Sequence, residues 1–489
     1  MITKIKDFLL INRTERQTVA KNTFWLTVSN VGGRLIRSII IIYAARVLGA
    51  SEWGAFSYAI SLVALITIFT DLGIGPTLTR EASKKIEDER YLTRLLSTSL
   101  YIKIALLLLG VLAMIFIAPS FTSLPKVDVI LPIITLVLIF DTLREFGVAI
   151  IRAMEKMEME AALYIFTNIA ILICGTLFLM YHPTVRGFSL AYAIGTGAGM
   201  VATIYILRKR FEGLFNSFDW KLTKIIFISA LPFAISSVLG GLMINTDILM
   251  LGFFRSAEEV GYYSATQRLI QLLYLFPTIF ASSVFPLFSR FANQDEKKFR
   301  DLMERILSFN FLLAIPIVTG GIILAEPIIQ TIFGTEYLPA VLSLQILLAT
   351  LIVTFSAAIL TNAVFAHNRQ NSLVIFATFG VVSNAVLDFF FIQWWGINGS
   401  AIATLIAQIL SNMYLWHTMK RINPFHITSR LPRILVAGLI MTLVTVFFHS
   451  LGLNFILNIV ISALVYGGLL FVLREPLFRE LKITLQPLA

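Results

Sequence analysis

Charge is scarce in this chain. Only 14% of its 489 residues are Asp, Glu, Lys or Arg, against about 25% in an average soluble domain. A soluble fold of this length could not be coated with so little charge. Cysteine is nearly absent: Cys174 stands alone, which excludes an intrachain disulfide and a cysteine metal cluster. It lies in an apolar run and reads as a small packing residue. The five histidines are scattered, so neither a metal site nor a cofactor is expected. No G-x-x-x-x-G-K-[ST] occurs, and no polar connection is long enough for a nucleotide-binding domain. An ATP-driven pump within one chain is therefore excluded, leaving ion-driven or downhill transport open. No nucleophile-base constellation is visible, so an enzyme is not expected. The N-terminal "MITKIKDFLLINRTERQTVAKN" is basic with too short an apolar stretch for a cleavable signal. It is expected to be a retained cytoplasmic segment, with a short amphipathic surface helix.

What is present is apolar: 57% of the residues, with a mean hydropathy of +0.85. Runs of roughly 20 apolar residues, enough for a ~30 Å hydrocarbon core, recur from end to end. They predict an all-α polytopic membrane protein of about 14 transmembrane helices. With both termini inside, the outer segments hold Arg46, Lys126, Arg186 and Arg255, while the inner connections carry most of the other Lys and Arg. That bias fixes the predicted orientation and explains the basic balance without nucleic acid. The expected location is the cytoplasmic (inner) membrane of a prokaryote.

The chain also repeats itself. "NVGGRLIRS" (30–38) aligns with "VLGGLMINT" (238–246), and "SEWGAFSYA" (51–59) with "EEVGYYSAT" (258–266). "RGFSLAYAI" (186–194) resembles "NGSAIATLI" (398–406) at a similar offset. A period of six spans gives both copies the same orientation, so the halves are expected to relate by a pseudo-two-fold axis along the membrane normal. The predicted organisation is a cytoplasmic segment 1–22, an N-lobe 23–210 of six helices and an inter-lobe linker 211–224. A C-lobe 225–420 of six helices follows, then two C-terminal helices and a cytoplasmic tail within 421–489.

Several charges fall inside these apolar runs, where each costs about 2.5–3.5 kcal/mol on insertion scales unless it faces a wet interior. Arg34 and Arg37 lie mid-span at i and i+3, on one helix face, too deep for comfortable snorkelling. Arg268, about three turns into its span, has no acid close in sequence. Guanidinium forks in a cleft suit phosphate or carboxylate, so these three are the candidate substrate-binding residues. At least two of them are expected to lack a carboxylate partner. Asp141, Arg144 and Glu145 read as an internal ion-pair network or a brace at the cytoplasmic end. Lys103 could snorkel or act in the cleft. Asp71 and Asp247 lie toward span ends, where loop contacts or water account for them. Asp388 reads either as an interfacial residue beside "QWW" or as a titrating, ion-coupling group. Asn245, Gln271, Gln345 and Asn384 offer amides suited to sugar hydroxyls.

The segments "ARVLGASEWGAFSYAISLVALITIFTDLGIGPTLTREAS" (45–83), "DILMLGFFRSAEEVGYYSATQRL" (247–269) and "WGINGSAIATLIAQ" (395–408) carry a family likeness. The chain resembles the polysaccharide-exporter branch of the multidrug/oligosaccharidyl-lipid/polysaccharide superfamily, whose members include O-antigen and other lipid-linked oligosaccharide flippases. The resemblance implies two six-helix bundles with two additional C-terminal helices and an alternating-access cavity. It also implies a polyprenyl-pyrophosphate-linked oligosaccharide substrate, with Arg34, Arg37 and Arg268 at the positions best matched to its recognition. Implied partners are that substrate, membrane lipid, and glycan polymerase and glycosyltransferase enzymes. A multidrug exporter of the same fold, moving organic cations, is the alternative and would need acids in its cavity. A membrane glycan polymerase or ligase is a third reading, disfavoured by the short outer connections.

Overall fold

A computed structural model describes residues 15–85, 88–122, 124–211, 214–427, 431–473 and 475. The expected surface helix before residue 15 and the tail beyond residue 475 lie outside the described residues. The described residues are almost all helical, and no strand occurs among them. Eleven segments among the described residues are long and apolar enough to cross a membrane. Helix α1 (Glu15–Asp71) has 57 residues, which unbroken would span about 85 Å against a core of ~30 Å. Gly49, at φ 74°, breaks it into two crossings. Gly396, at φ 56°, does the same for the helix Gln370–Ile422. The left-handed region at both points is open to glycine at little cost. A further helix, α4 (Pro125–Ala153), is 29 residues long but carries Asp141, Arg144 and Glu145. Counting each bent helix twice and adding α4 gives the 14 crossings expected from the sequence.

The helices needed below are α2 (Ile74–Lys84), α3 (Glu89–Leu112), α5 (Met157–Tyr181), α6 (Val185–Leu207), α7 (Trp220–Phe254) and α8 (Ala257–Leu273). Compact packing divides the chain between Ser264 and Ala265, inside α8. The division falls well beyond the 211–224 linker, because α7 packs on α1, α2 and α3 of the first unit. Two glycines show how closely: a Cβ on Gly241 would meet Ile68 at 1.8 Å, and one on Gly252 would meet the Tyr58 ring at 2.1 Å.

The helices of the first unit are tied together at one end. At the end predicted to face outward, the Glu52 carboxylate accepts from Lys126 Nζ at 3.3 Å and from Val185 N at 2.7 Å. Val185 opens α6, so a negative charge sits at the helix N-terminus, where backbone N–H groups need acceptors. Tyr58 donates to the Phe121 carbonyl at 2.6 Å nearby. The recurrent Glu-x-Gly motif thus has a physical meaning. Its glycine, Gly54, lies where a Cβ would be 1.7 Å from the Ala257 carbonyl oxygen, and a Cβ on the repeat counterpart Gly261 would be 2.0 Å from the Ala50 carbonyl oxygen. Gly54→Ala is expected to cost roughly 1–3 kcal/mol, the range for overpacking, because backbone must move. Gly32→Ala, with nothing within 4 Å, serves as the neutral control. Thermal unfolding of the two variants in detergent checks this; equal midpoints would refute the contact.

The second unit has its own core, built from Phe288, Phe299, Met303, Leu307, Ile359, Leu360, Leu415 and Met419. The last two helices, Leu431–Ser450 and Phe455–Val472, join through buried Thr445, Ser462 and Asn458, which hydrogen-bond in series. Tyr466 fastens them to this unit by donating to the Leu312 carbonyl at 2.9 Å. In lipid such polar contacts supply specificity that apolar burial alone does not give.

Candidate anion site in the first unit

The double glycine of the first span sets up the site. Gly32 faces open space, whereas a Cβ on Gly33 would meet the Tyr164 ring at 2.1 Å and Asn168 Nδ2 at 3.2 Å. The bare backbone at Gly33 lets α5 approach α1. One turn on, Arg37 Nε donates to Asn168 Oδ1 at 2.9 Å. Asn168 is fully buried and spends its own N–H on the Tyr164 carbonyl at 2.7 Å, which presents its oxygen to the guanidinium. The Tyr192 ring of α6 lies beneath Arg37, 5.9 Å from centroid to Cζ. A neutral amide and a ring hold this arginine without cancelling its charge. Arg34, one turn earlier, is exposed. Neither Arg34 nor Arg37 forms an ion pair with a described carboxylate.

Several acids of this unit are engaged with other cations. Arg144 donates to Asp141 at 3.1 Å and lies 2.9 Å from Glu145. These two carboxylates also act on Arg37 through space, yet their close partner is Arg144. Arg152 binds Glu160 through two bonds of 2.6 and 2.9 Å. Lys21 meets Glu158 at 2.8 Å. Lys103 is only 1% exposed and donates to Asp71 at 2.6 Å, so its charge is paired inside the protein and does not snorkel to a surface. Arg34 and Arg37 thus form no ion pair among the described residues, although Asp141 and Glu145, which share Arg144, lie within electrostatic reach of Arg37. That arrangement can receive an anion through several N–H groups at once.

The remaining candidates lie elsewhere. Arg268 belongs to the second unit, where its Nη1 donates to Gln271 Oε1 at 3.0 Å. Asp388 is 0% exposed, although the rings around it at Phe389, Phe390, Trp394 and Trp395 all face outward. The helix continues past it to Gly396, and its side chain takes the inward face. Asn384, one turn before, approaches Thr404 Oγ1 at 3.4 Å. Asp247 is buried and accepts from Tyr263. Among residues that sequence reasoning passed over, Asn168 and Tyr192 matter most. The signal was available for Asn168: a lone amide in "IFTNIAIL" is costly in lipid and must find a partner.

Residues 19–292 match the family model described as polysaccharide biosynthesis protein. The chain belongs to the polysaccharide biosynthesis protein family. Residues 232–390 also match the MatE model. The chain is 23% identical over 469 residues to a Haloferax volcanii protein named probable low-salt glycan biosynthesis flippase Agl15, covering 95% of this chain and 97% of that one. It is 22% identical to the capsular polysaccharide biosynthesis protein CapF of Staphylococcus aureus, over 83% of this chain and all of the relative. In fold it is similar to lipid II flippase MurJ in an inward closed conformation. That likeness has a TM-score of 0.76 at 22% identity and covers 92% of this chain and 99% of the other. This family member therefore has a MurJ-like all-helical membrane fold.

Proposed function

We propose that the protein is a flippase that moves polyprenyl-pyrophosphate-linked oligosaccharide, such as O-antigen or capsule repeat units, across the cytoplasmic membrane of a prokaryote. The observation that carries this reading is the Arg34–Arg37 face. Neither arginine has an ion-pair partner among the described carboxylates, and the nearby Asp141 and Glu145 contact Arg144, which supports an anion-receiving role. A pyrophosphate carries oxygens enough for both guanidinium forks, and Arg268 would serve from the second half of the chain. The flippase relatives support the same substrate class. In this reading the halves 23–210 and 225–420 alternate access, and both termini are cytoplasmic. Membrane glycosyltransferases would supply the substrate and a polymerase would consume it. The protein binds and moves the glycan without making or breaking a bond.

A multidrug exporter is the second reading, favoured by the MatE match and by the buried Asp388. It fits less well, because an organic cation would meet two arginines that have no ion-pair partner among the described residues of the first unit. In the flippase reading Asp388 is proposed as an ion-coupling group, and Asp141 and Arg144 as an internal pair. Purified protein is expected to bind a polyprenyl-pyrophosphate glycan more than about tenfold tighter than the neutral polyprenol, as hydrogen bonds to charged groups of ≈ 1.5–3 kcal/mol require. Fluorescence titration with both lipids and with a cationic dye decides between the readings. Tight dye binding with indifference to pyrophosphate would favour the exporter.

A further inference from the structure

The stretch 214–224 that leads into α7 is fastened to α3. Tyr101 of α3 donates to the Phe215 carbonyl at 2.9 Å, and its ring meets Phe218 edge-on at 5.5 Å. Thr98 accepts from Asp219 N at 3.0 Å, and Arg94 reaches the Asp219 carboxylate at 3.3 Å. The same carboxylate caps α7 by accepting from Lys221 N. A connection fastened this way to a transmembrane helix has a fixed outward face.

That face is of two kinds at once. Phe215 is 65% exposed and Trp220 77% exposed, sizes of apolar surface that a water-facing loop would hide. Beside Trp220, Lys221 and Lys224 are exposed, and neither forms an ion pair among the described residues. Asp219, the described acid next to them in the chain, is engaged by Arg94 and the helix cap. Trp220, Lys224, Ile228 and Leu231 follow one another along one face of α7 at helical spacing. Ile228 and Leu231 are 64% and 61% exposed, so this face runs from a basic-aromatic head into surface suited to acyl chains.

The geometry points to a binding site for an anionic phospholipid of the leaflet at this end of the helices, with its phosphate between Lys221 and Lys224, one turn apart on α7, and its chains along the outer face of that helix. Aromatic rings settle at the depth of the headgroups, and lysines beside them attract anionic lipid over neutral lipid. The contacts of Phe215, Phe218 and Asp219 with α3 hold the start of α7 in place, so part of the ordering cost is met by the fold. This lipid is distinct from the transported glycan, and the inference stands apart from the flippase reading.

Asn216 is exposed and lies beside the site, so Asn216→Cys in a Cys174→Ser background can carry a bimane probe. The labelled full chain is placed in vesicles of equimolar phosphatidylcholine and phosphatidylglycerol, with bromine on the acyl chains of one lipid or the other. Brominated phosphatidylglycerol is expected to quench at least about threefold more than brominated phosphatidylcholine, a preference set by the pull of the lysines and reduced by high salt. Combined Lys221→Gln and Lys224→Gln should bring the two lipids to parity. Equal quenching by both lipids in the parent overturns the inference. So does a preference that survives the double change in protein with an unaltered elution profile. No glycan is present, so transport activity has no bearing on either result.

Discussion

Arg34→Ala combined with Arg37→Ala is expected to abolish glycan export in a complementation assay at matched protein levels. Each guanidinium is worth roughly 1.5–3 kcal/mol in hydrogen bonds to a charged partner, so losing both should cut export well beyond tenfold. Lysine at both positions should be milder without being neutral, since the charge survives while the planar fork is lost. Arg37 carries a further test of the site as built. Asn168→Ala leaves both charges in place but removes the acceptor that orients Arg37, so binding of the pyrophosphate should weaken while thermal stability changes less. Normal export by the double alanine variant would remove the anion site from the mechanism.

Asp71→Ala is expected to destabilise the protein by roughly 3–5 kcal/mol, the cost of stranding a buried charge. Its partner Lys103 is 1% exposed and cannot reach water when the carboxylate is gone. Lys103→Met added to Asp71→Ala should restore most of the loss, because a buried pair replaced by apolar groups is often close to neutral. Residual destabilisation is expected from the Gly75 N–H, which donates to Asp71 at 3.3 Å and loses that acceptor. Thermal unfolding of the two single variants and the double variant completes the cycle. A double variant no more stable than Asp71→Ala would show that Lys103 and Asp71 do not stabilise each other.

The sequence by itself determined the helices, the number of crossings and the place of the embedded charges. Lipid offers the backbone no hydrogen bonds, so each apolar run must satisfy its own groups and can only be a helix. Even the bends at Gly49 and Gly396 fall where the apolar runs change span. Beyond the local cluster of Asp141, Arg144 and Glu145, tertiary structure decided which charges are paired. Lys21 and Glu158 are 137 residues apart, and Arg37 and Asn168 are 131 apart; no local spacing announces either contact. The distinction between Gly32 and Gly33, identical in sequence, came only from the approach of α5 to one of them. Glu52 likewise read as part of a motif until α4 and α6 brought Lys126 and Val185 to it. Helix formation in a membrane is a local demand of the solvent, whereas the partner of a charge depends on which helices pack side by side.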